Sequence, residues 1–176
     1  MKVIEEFFAF PAENEEEIIL IEGERAIDAL GWIFVNYLNQ NIYNGPVIVY
    51  TSHQIDFNSM QHSHLLKYYD FDKLKRLQII YCCLEELIQM LFDSLLFISF
   101  KKMIIIVHDI ESYLTNDQSR RDEFMLEDVK NLLLYVRRTC LNQHADLRCF
   151  MTLASESKSS KLLSRKFGFL QKKRMI

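Results

Sequence analysis

The chain has 176 residues, of which 49% are hydrophobic and 26% charged, and its net charge is −3. One domain is expected at this length, and this ordinary composition excludes a disordered or fibrous chain. The small net charge also excludes a general electrostatic attraction to nucleic acid. With only 4 glycines, the chain has little material for a phosphate-binding loop.

Apolar periodicity along the chain predicts strands that alternate with helices. The predicted strands are 17–21, 47–51, 76–82, 103–107 and 147–153. The predicted helices are 25–39, 85–97 and 126–141, and the connections include a polar segment, 52–75, and a flexible loop, 115–123. Because such alternation forms right-handed crossovers, the order predicts an α/β fold with a mainly parallel central sheet and helices on both faces.

The most informative of these elements is the strand 103–107, which is followed by His108 and Asp109. Its β-branched run is typical of a strand that is covered on both faces. In parallel α/β sheets, ligands bind beyond the carboxyl ends of the strands, which is where Asp109 falls. Asp109 is therefore a candidate site residue, and the alternative is a solvated acid at the end of a buried strand.

In this order the βα units resemble the ATPase core of the RecA-like recombinases, above all the degenerate recombinase paralogues. The resemblance covers roughly residues 15–160 and implies a RecA-like three-layer fold. The matching segments are 18–23 at the strand that enters the Walker A loop, 47–52 at the strand before the catalytic glutamate, 81–87 at a strand-to-helix step, 104–109 at Walker B, and 149–155 at the strand before the second DNA-facing loop.

The phosphate-loop position departs from the family pattern. The motif GxxxxGK[ST] brings backbone N–H groups, a lysine and a hydroxyl to the phosphates and magnesium. The segment here begins Gly23, Glu24, Arg25 and lacks both the lysine and the hydroxyl, while Glu24 and Asp28 add negative charge where a triphosphate binds. Ser52 stands at the catalytic-glutamate position. The resemblance thus implies a pseudo-ATPase that keeps only the Walker B-like acid, Asp109. It implies no catalytic residue and no metal or other cofactor in the chain itself. ATP and magnesium are expected only at an interface with a partner.

As to function, the resemblance implies an accessory subunit of a paralogue heterodimer or a Shu-type complex. Its expected partner is a recombinase paralogue with an intact Walker A motif, and its expected role is to promote assembly or remodelling of recombinase filaments on single-stranded DNA. This role belongs to homologous recombination and DNA repair in the nucleus. Two alternatives stay open: an active magnesium-dependent ATPase with a divergent phosphate loop, and an α/β scaffold subunit unconnected with DNA.

The two ends of the chain differ in charge. Residues 1–28 hold nine acids, whereas residues 156–176 hold seven bases against one acid. Such asymmetry indicates a tail that meets phosphates or an acidic partner, although a solvated polar end explains it equally well. The bases expected to contact DNA are Lys158, Lys161, Arg165, Lys166, Lys172, Lys173 and Arg174.

Three segments follow from these observations. Residues 1–14 are interpreted as a docking segment, 15–160 as the RecA-like pseudo-ATPase core, and 161–176 as a basic C-terminal segment. The aromatic side chains of the first segment are expected either to bind the partner or to cover the chain's own core; they are Phe7, Phe8 and Phe10.

The four cysteines have no CxxC spacing, and the acidic N-terminus does not resemble a signal peptide. The apolar runs are far shorter than the roughly 20 residues of a membrane span. We therefore expect an intracellular protein with no membrane span and with buried thiols. A zinc site is disfavoured because the histidines and cysteines match no compact ligand spacing, and a Cys–His hydrolase because no oxyanion-loop signature accompanies them.

Overall fold

The structure is a computed structural model that describes residues 18–38, 45–60, 75–93, 102–113, 119–143, 146–154 and 171–174. Within these ranges the strands are β1 (Ile18–Gly23), β2 (Val47–Thr51), β3 (Leu77–Tyr81), β4 (Lys102–Val107), β5 (Asp146–Ala154) and β6 (Gln171–Arg174). The α-helices are α1 (Ala26–Leu38), α2 (Leu84–Asp93) and α3 (Ser119–Asn142), and a 3₁₀ turn covers Ile110–Tyr113.

All six strands form one sheet in the order β3-β2-β4-β5-β1-β6, and every neighbouring pair is parallel. The predicted α/β fold with a parallel sheet is confirmed. Among the described residues, no helix combines the length and the apolar character that crossing a bilayer requires.

Side chains of the central strands alternate between the two faces of the sheet, as the two-residue period of a strand dictates. Leu20, Tyr50 and Ile105 belong to one apolar cluster, which also contains the buried side of α2 and α3. Neighbouring strand residues such as Ile21 and Ile106 belong to a second cluster, together with the buried side of α1. Burial on both faces explains why the strands appear in the sequence as continuous apolar runs rather than as alternating ones.

Helix α2 has a start signal that is readable in the sequence. The Glu86 carboxylate accepts a hydrogen bond of 2.9 Å from the backbone N–H of Cys83, and the Cys83 carbonyl accepts one of 2.9 Å from the N–H of Leu87. An acid three residues after the cap satisfies an N–H that the helix itself leaves unpaired. This contact sets the turn between β3 and α2.

Three sequence-based predictions need correction. The predicted loop over 115–123 is wrong from Ser119 onward, where α3 begins, because charged residues such as arginine and glutamate are compatible with helix as well as loop. The thiol of Cys83 is exposed, whereas Cys82, Cys140 and Cys149 are buried. The sequence analysis also missed a sixth strand, β6, which pairs with β1 at the edge of the sheet. Residues 94–97 of the second predicted helix lie outside the described residues.

Candidate functional site

The carboxyl ends of the strands gather several polar side chains at one edge of the sheet. Val107, the last residue of β4, pairs with Met151 of β5, so the longer β5 places Thr152 beside His108. The backbone N–H of His108 donates to the carbonyl of Tyr50 at 2.8 Å, which continues the contact between β4 and β2. The residues after β4 are therefore held between β2 and β5.

Asp109 lies at this edge in a left-handed backbone conformation, with φ of 48°. Aspartate adopts this region more readily than most residues, because its short polar side chain can bond locally. The N–H of Asp109 donates to the Thr152 hydroxyl at 3.0 Å, and its carbonyl accepts from the N–H of Ser112 at 2.9 Å. The backbone bonds on both sides of Asp109 hold the unusual conformation in place.

The side chain of Asp109 is 25% exposed, and Nε2 of His53 lies 3.9 Å from its Oδ2. Burial raises the pKa of Asp109; His53 opposes this shift and Glu111 adds to it. The separation from His53 is too long for a hydrogen bond. Asp109 is thus a partly buried carboxyl at the exit of a central strand, with one face toward solvent.

His108 is buried beneath this carboxyl. Its Nδ1 lies 2.7 Å from the Thr152 hydroxyl oxygen, and the two histidine rings, His53 and His108, are 5.6 Å apart. Burial, with a smaller contribution from His53, lowers the pKa of His108 to about 3. The imidazole is therefore neutral at physiological pH. Its Nδ1 can accept a hydrogen bond from the Thr152 hydroxyl, and the Thr152 oxygen accepts a hydrogen bond from the N–H of Asp109.

Ser52, which the resemblance to RecA-like recombinases aligns with their catalytic glutamate, belongs to a chain of hydroxyls. Its Oγ lies 2.5 Å from Oγ of Ser112 and 3.4 Å from Nδ1 of His53. Ser112 Oγ in turn donates to the Asp109 carbonyl at 2.6 Å, so the Ser52 hydroxyl donates to Ser112. The sequence-based prediction missed Ser112 and Thr152. A hydroxyl three residues after a strand-end acid is the local signal for Ser112, whereas no local signal exists for Thr152.

The phosphate-loop position is closed by backbone packing. Strand β1 ends at Gly23 and α1 begins at Ala26, so only Glu24 and Arg25 separate strand from helix. A Cβ atom added to Gly23 would lie 2.8 Å from the carbonyl oxygen of Arg25 and 2.9 Å from the backbone nitrogen of Ala29. The glycine permits a close approach of strand and helix and not a wide loop around a ligand.

An ion pair covers the N-terminus of α1. Arg25 donates from Nε to Oδ2 of Asp28 at 2.9 Å and from Nη2 to Oδ1 at 2.8 Å, and the same Nη2 donates to the Ser59 carbonyl at 2.7 Å. Asp28 is buried, and its hydrogen bond is the main reason why the pKa of Arg25 is raised. The Asp28 carboxylate lies in the first turn, where the helix dipole favours negative charge.

The remaining predicted site residues fall into two groups. The backbone of Lys172, Lys173 and Arg174 lies in edge strand β6, in register with Leu20 to Glu22. The other predicted residues lie outside the described part of the chain: Phe7, Phe8, Phe10, Lys158, Lys161, Arg165 and Lys166. Within the described ranges, no group of three or more histidine, cysteine or acidic side chains has a metal-binding arrangement.

Comparison with known proteins does not assign the chain. No protein-family model matches the sequence. No curated protein matches it either.

Proposed function

We propose that this chain is a non-catalytic subunit of RecA-like three-layer fold that pairs with a recombinase paralogue and promotes assembly or remodelling of recombinase filaments on single-stranded DNA. Its place of action is the nucleus, in homologous recombination. The observation that carries the non-catalytic part is the junction between Gly23 and Ala26, which leaves two residues where the phosphate loop of an ATPase requires a longer one.

The electrostatics of the junction support the same conclusion. A nucleotide phosphate binds at a helix N-terminus because unpaired N–H groups and the helix dipole attract an anion. In this chain the buried Asp28 carboxylate already lies in that first turn, and Arg25 is paired with it. A triphosphate would have to displace this pair and approach a fixed negative charge.

The order of the strands supports the resemblance on which the partner proposal rests. Strands β1, β5 and β4 are adjacent, so the ends assigned to the phosphate loop, the second DNA-facing loop and Walker B meet at one edge. Asp109 keeps a partly exposed carboxyl at this edge. With its own phosphate loop closed, the chain contributes this edge to a complex whose partner holds the nucleotide.

Nucleotide titration of the isolated chain tests the non-catalytic part. We expect no saturable binding of fluorescent ATP with magnesium, and Asp109→Asn should give the same flat titration. Micromolar affinity that Asp109→Asn abolishes would contradict the proposal and favour an active ATPase with a divergent loop.

Co-expression tests the partner. A recombinase paralogue with an intact Walker A motif should co-purify with the chain at fixed stoichiometry, and its ATP turnover should change in the complex. If such paralogues consistently fail to co-purify while the chain behaves as a monomer, the pairing is wrong and an α/β scaffold subunit is favoured.

Salt dependence tests the interaction with DNA. In the assembled complex, changing Lys172, Lys173 and Arg174 to Ala should weaken binding to single-stranded DNA and flatten the logarithmic salt slope by about 0.7 for each phosphate that is no longer neutralised. Lys75→Ala, which removes an exposed base beside the opposite edge strand β3, is the matched control and should leave the slope unchanged. An unchanged slope in the triple variant would show that β6 does not bind DNA.

A further inference from the structure

Strand β6 is a basic strand at the edge of the sheet. Three of its four residues are bases, Lys172, Lys173 and Arg174, and among the described strands only β1 pairs with it. The surrounding stretch 161–176 holds six bases and no acid. The outer side of β6 therefore combines concentrated positive charge with backbone N–H and C=O groups that no described strand pairs.

Strand β1 supplies an acid for only one of these bases. Arg174 is in register with Glu22, and opposite charges at paired positions of neighbouring strands attract. The two lysines before it are in register with Leu20 and Ile21, which are apolar. On the β1 side the lysines have no acid at their own register positions, so a complementary charge has to come from another segment or from another molecule.

The most acidic stretch of the chain directly precedes β1. Residues 13–17 contain four glutamates and one asparagine, and no base occurs between residues 3 and 24. These five residues lie outside the described part of the chain, but they join it at Ile18, the first residue of β1. Ile18 lies one position before the residue that pairs with Gln171, so the acidic segment is attached at the amino end of β6.

The acidic segment is long enough to reach the outer side of β6. Adjacent strands lie about 4.8 Å apart, so the outer side of β6 is about 10 Å from β1. Five extended residues span about 16 Å, which exceeds this distance. The short tether also keeps the segment at a high local concentration, so that ion pairs too weak to hold two separate molecules can form within one.

We propose that residues 13–17 bind the bases of β6 in the same molecule, and that single-stranded DNA has to displace them in order to bind there. The displacement rests on the proposed function, which assigns these bases to DNA, whereas the contact itself does not. Carboxylates and phosphates compete for the same site because both bind lysine and arginine as anions. The tether favours the segment of the same molecule over that of a second copy.

Zero-length cross-linking of the full chain tests the contact without DNA. A carbodiimide joins a carboxylate to a lysine amine where the two meet as an ion pair, and mass spectrometry identifies the linked residues. We expect cross-links from residues 13–17 to Lys172 and Lys173 within one chain, and at least about fivefold fewer in about 1 M salt, which screens the attraction. Lys75, an exposed base beside the opposite edge strand β3, is the control amine and should not be linked to this segment.

Two variants with the same change in net charge test the displacement. The segment variant carries four substitutions: Glu13→Gln, Glu15→Gln, Glu16→Gln and Glu17→Gln. The control variant neutralises four exposed acids of α2 and α3: Glu85→Gln, Asp93→Asn, Glu127→Gln and Asp128→Asn. In anisotropy titrations with a labelled oligo-dT of about 20 nucleotides, the segment variant should bind at least about threefold more tightly than the control variant, because only the segment variant frees β6.

A double-mutant cycle locates this gain. When Lys172, Lys173 and Arg174 are already alanine, the segment substitutions should tighten oligo-dT binding no more than the control substitutions do, because the site they would free is gone. Circular dichroism and a thermal melt confirm that each variant is folded before its titration is interpreted.

Three results would overturn the proposal: equal cross-linking of the β6 lysines and Lys75, cross-links that join two chains, or equal tightening in the two charge-matched variants. The first would mean that the bases only keep the edge strand from pairing with other chains, as edge lysines commonly do. If no variant binds oligo-dT, the displacement is wrong, while the cross-links still show whether the contact forms. The proposed function fails separately, through the co-purification and the salt slope of the assembled complex.

Discussion

Replacing Gly23 with alanine should destabilise the protein by forcing α1 away from β1. The added Cβ would lie 2.8 Å from the Arg25 carbonyl oxygen and 2.9 Å from the Ala29 nitrogen, and both are backbone atoms that no side-chain rotation can remove. Leu30 and Phe34 anchor α1 in the core and are almost completely buried, so the helix cannot shift without disturbing their packing. Overpacking of this kind costs about 1–3 kcal/mol, which corresponds to a decrease in Tm of about 2–12 °C for a domain of this size.

Urea unfolding measures this cost directly. The single tryptophan, Trp32, lies on α1 and reports on the packing of that helix, while circular dichroism reports on the whole chain. Glu24→Ala is the control, because Glu24 is exposed at the neighbouring position and its replacement should change the free energy of unfolding by less than about 0.5 kcal/mol. If Gly23→Ala unfolds at the same urea concentration as the wild type, the junction has room for a side chain and the closed phosphate-loop position is refuted.

Three further predictions concern the strand-end site and α2. Burial lowers the pKa of His108 to about 3 in the folded protein, whereas the pKa in the unfolded chain is about 6.5. Between these pH values the unfolded chain binds a proton that the folded protein does not. The free energy of unfolding therefore keeps its full value above pH 6.5 and falls below that pH by up to about 1.4 kcal/mol per pH unit. His108→Gln should flatten the urea midpoint profile between pH 7 and pH 5, and an unaltered profile would mean that His108 is not the titrating group. Thr152→Val should lower the free energy of unfolding by about 1–3 kcal/mol, because Nδ1 of His108 and the N–H of Asp109 both lose their hydrogen-bond partner. Thr152→Ser keeps the hydroxyl and should cost much less. Equal costs for the two variants would show that the hydroxyl is unimportant. On α2, Leu87→Ala should cost about 2–5 kcal/mol because Leu87 is fully buried, whereas Phe92→Ala should cost less than about 1 kcal/mol because Phe92 is 47% exposed; similar costs would show that Phe92 supports the core as much as Leu87 does.

The fold class was predictable from the sequence because it depends on local burial. The apolar residues of 103–107 are buried on both faces of a central strand, and the same is true of 47–51. The place of Asp109 also followed, since a strand boundary fixes where the next polar residue emerges. The loop over 115–123 was predicted wrongly from Ser119 onward, because polarity alone does not distinguish an exposed helix from a loop.

By itself, the sequence determined the alternating elements, the parallel sheet, the strand-end position of Asp109 and the absence of a phosphate-loop motif. Tertiary structure alone decided the strand order, and with it the contact of Thr152 with His108 across 44 residues. It also decided how closely Gly23 approaches α1, and that Phe92 and Tyr135 meet across two helices. The physical reason is that periodicity records which side of an element is buried, whereas the neighbour that buries it depends on pairing between segments far apart in the chain.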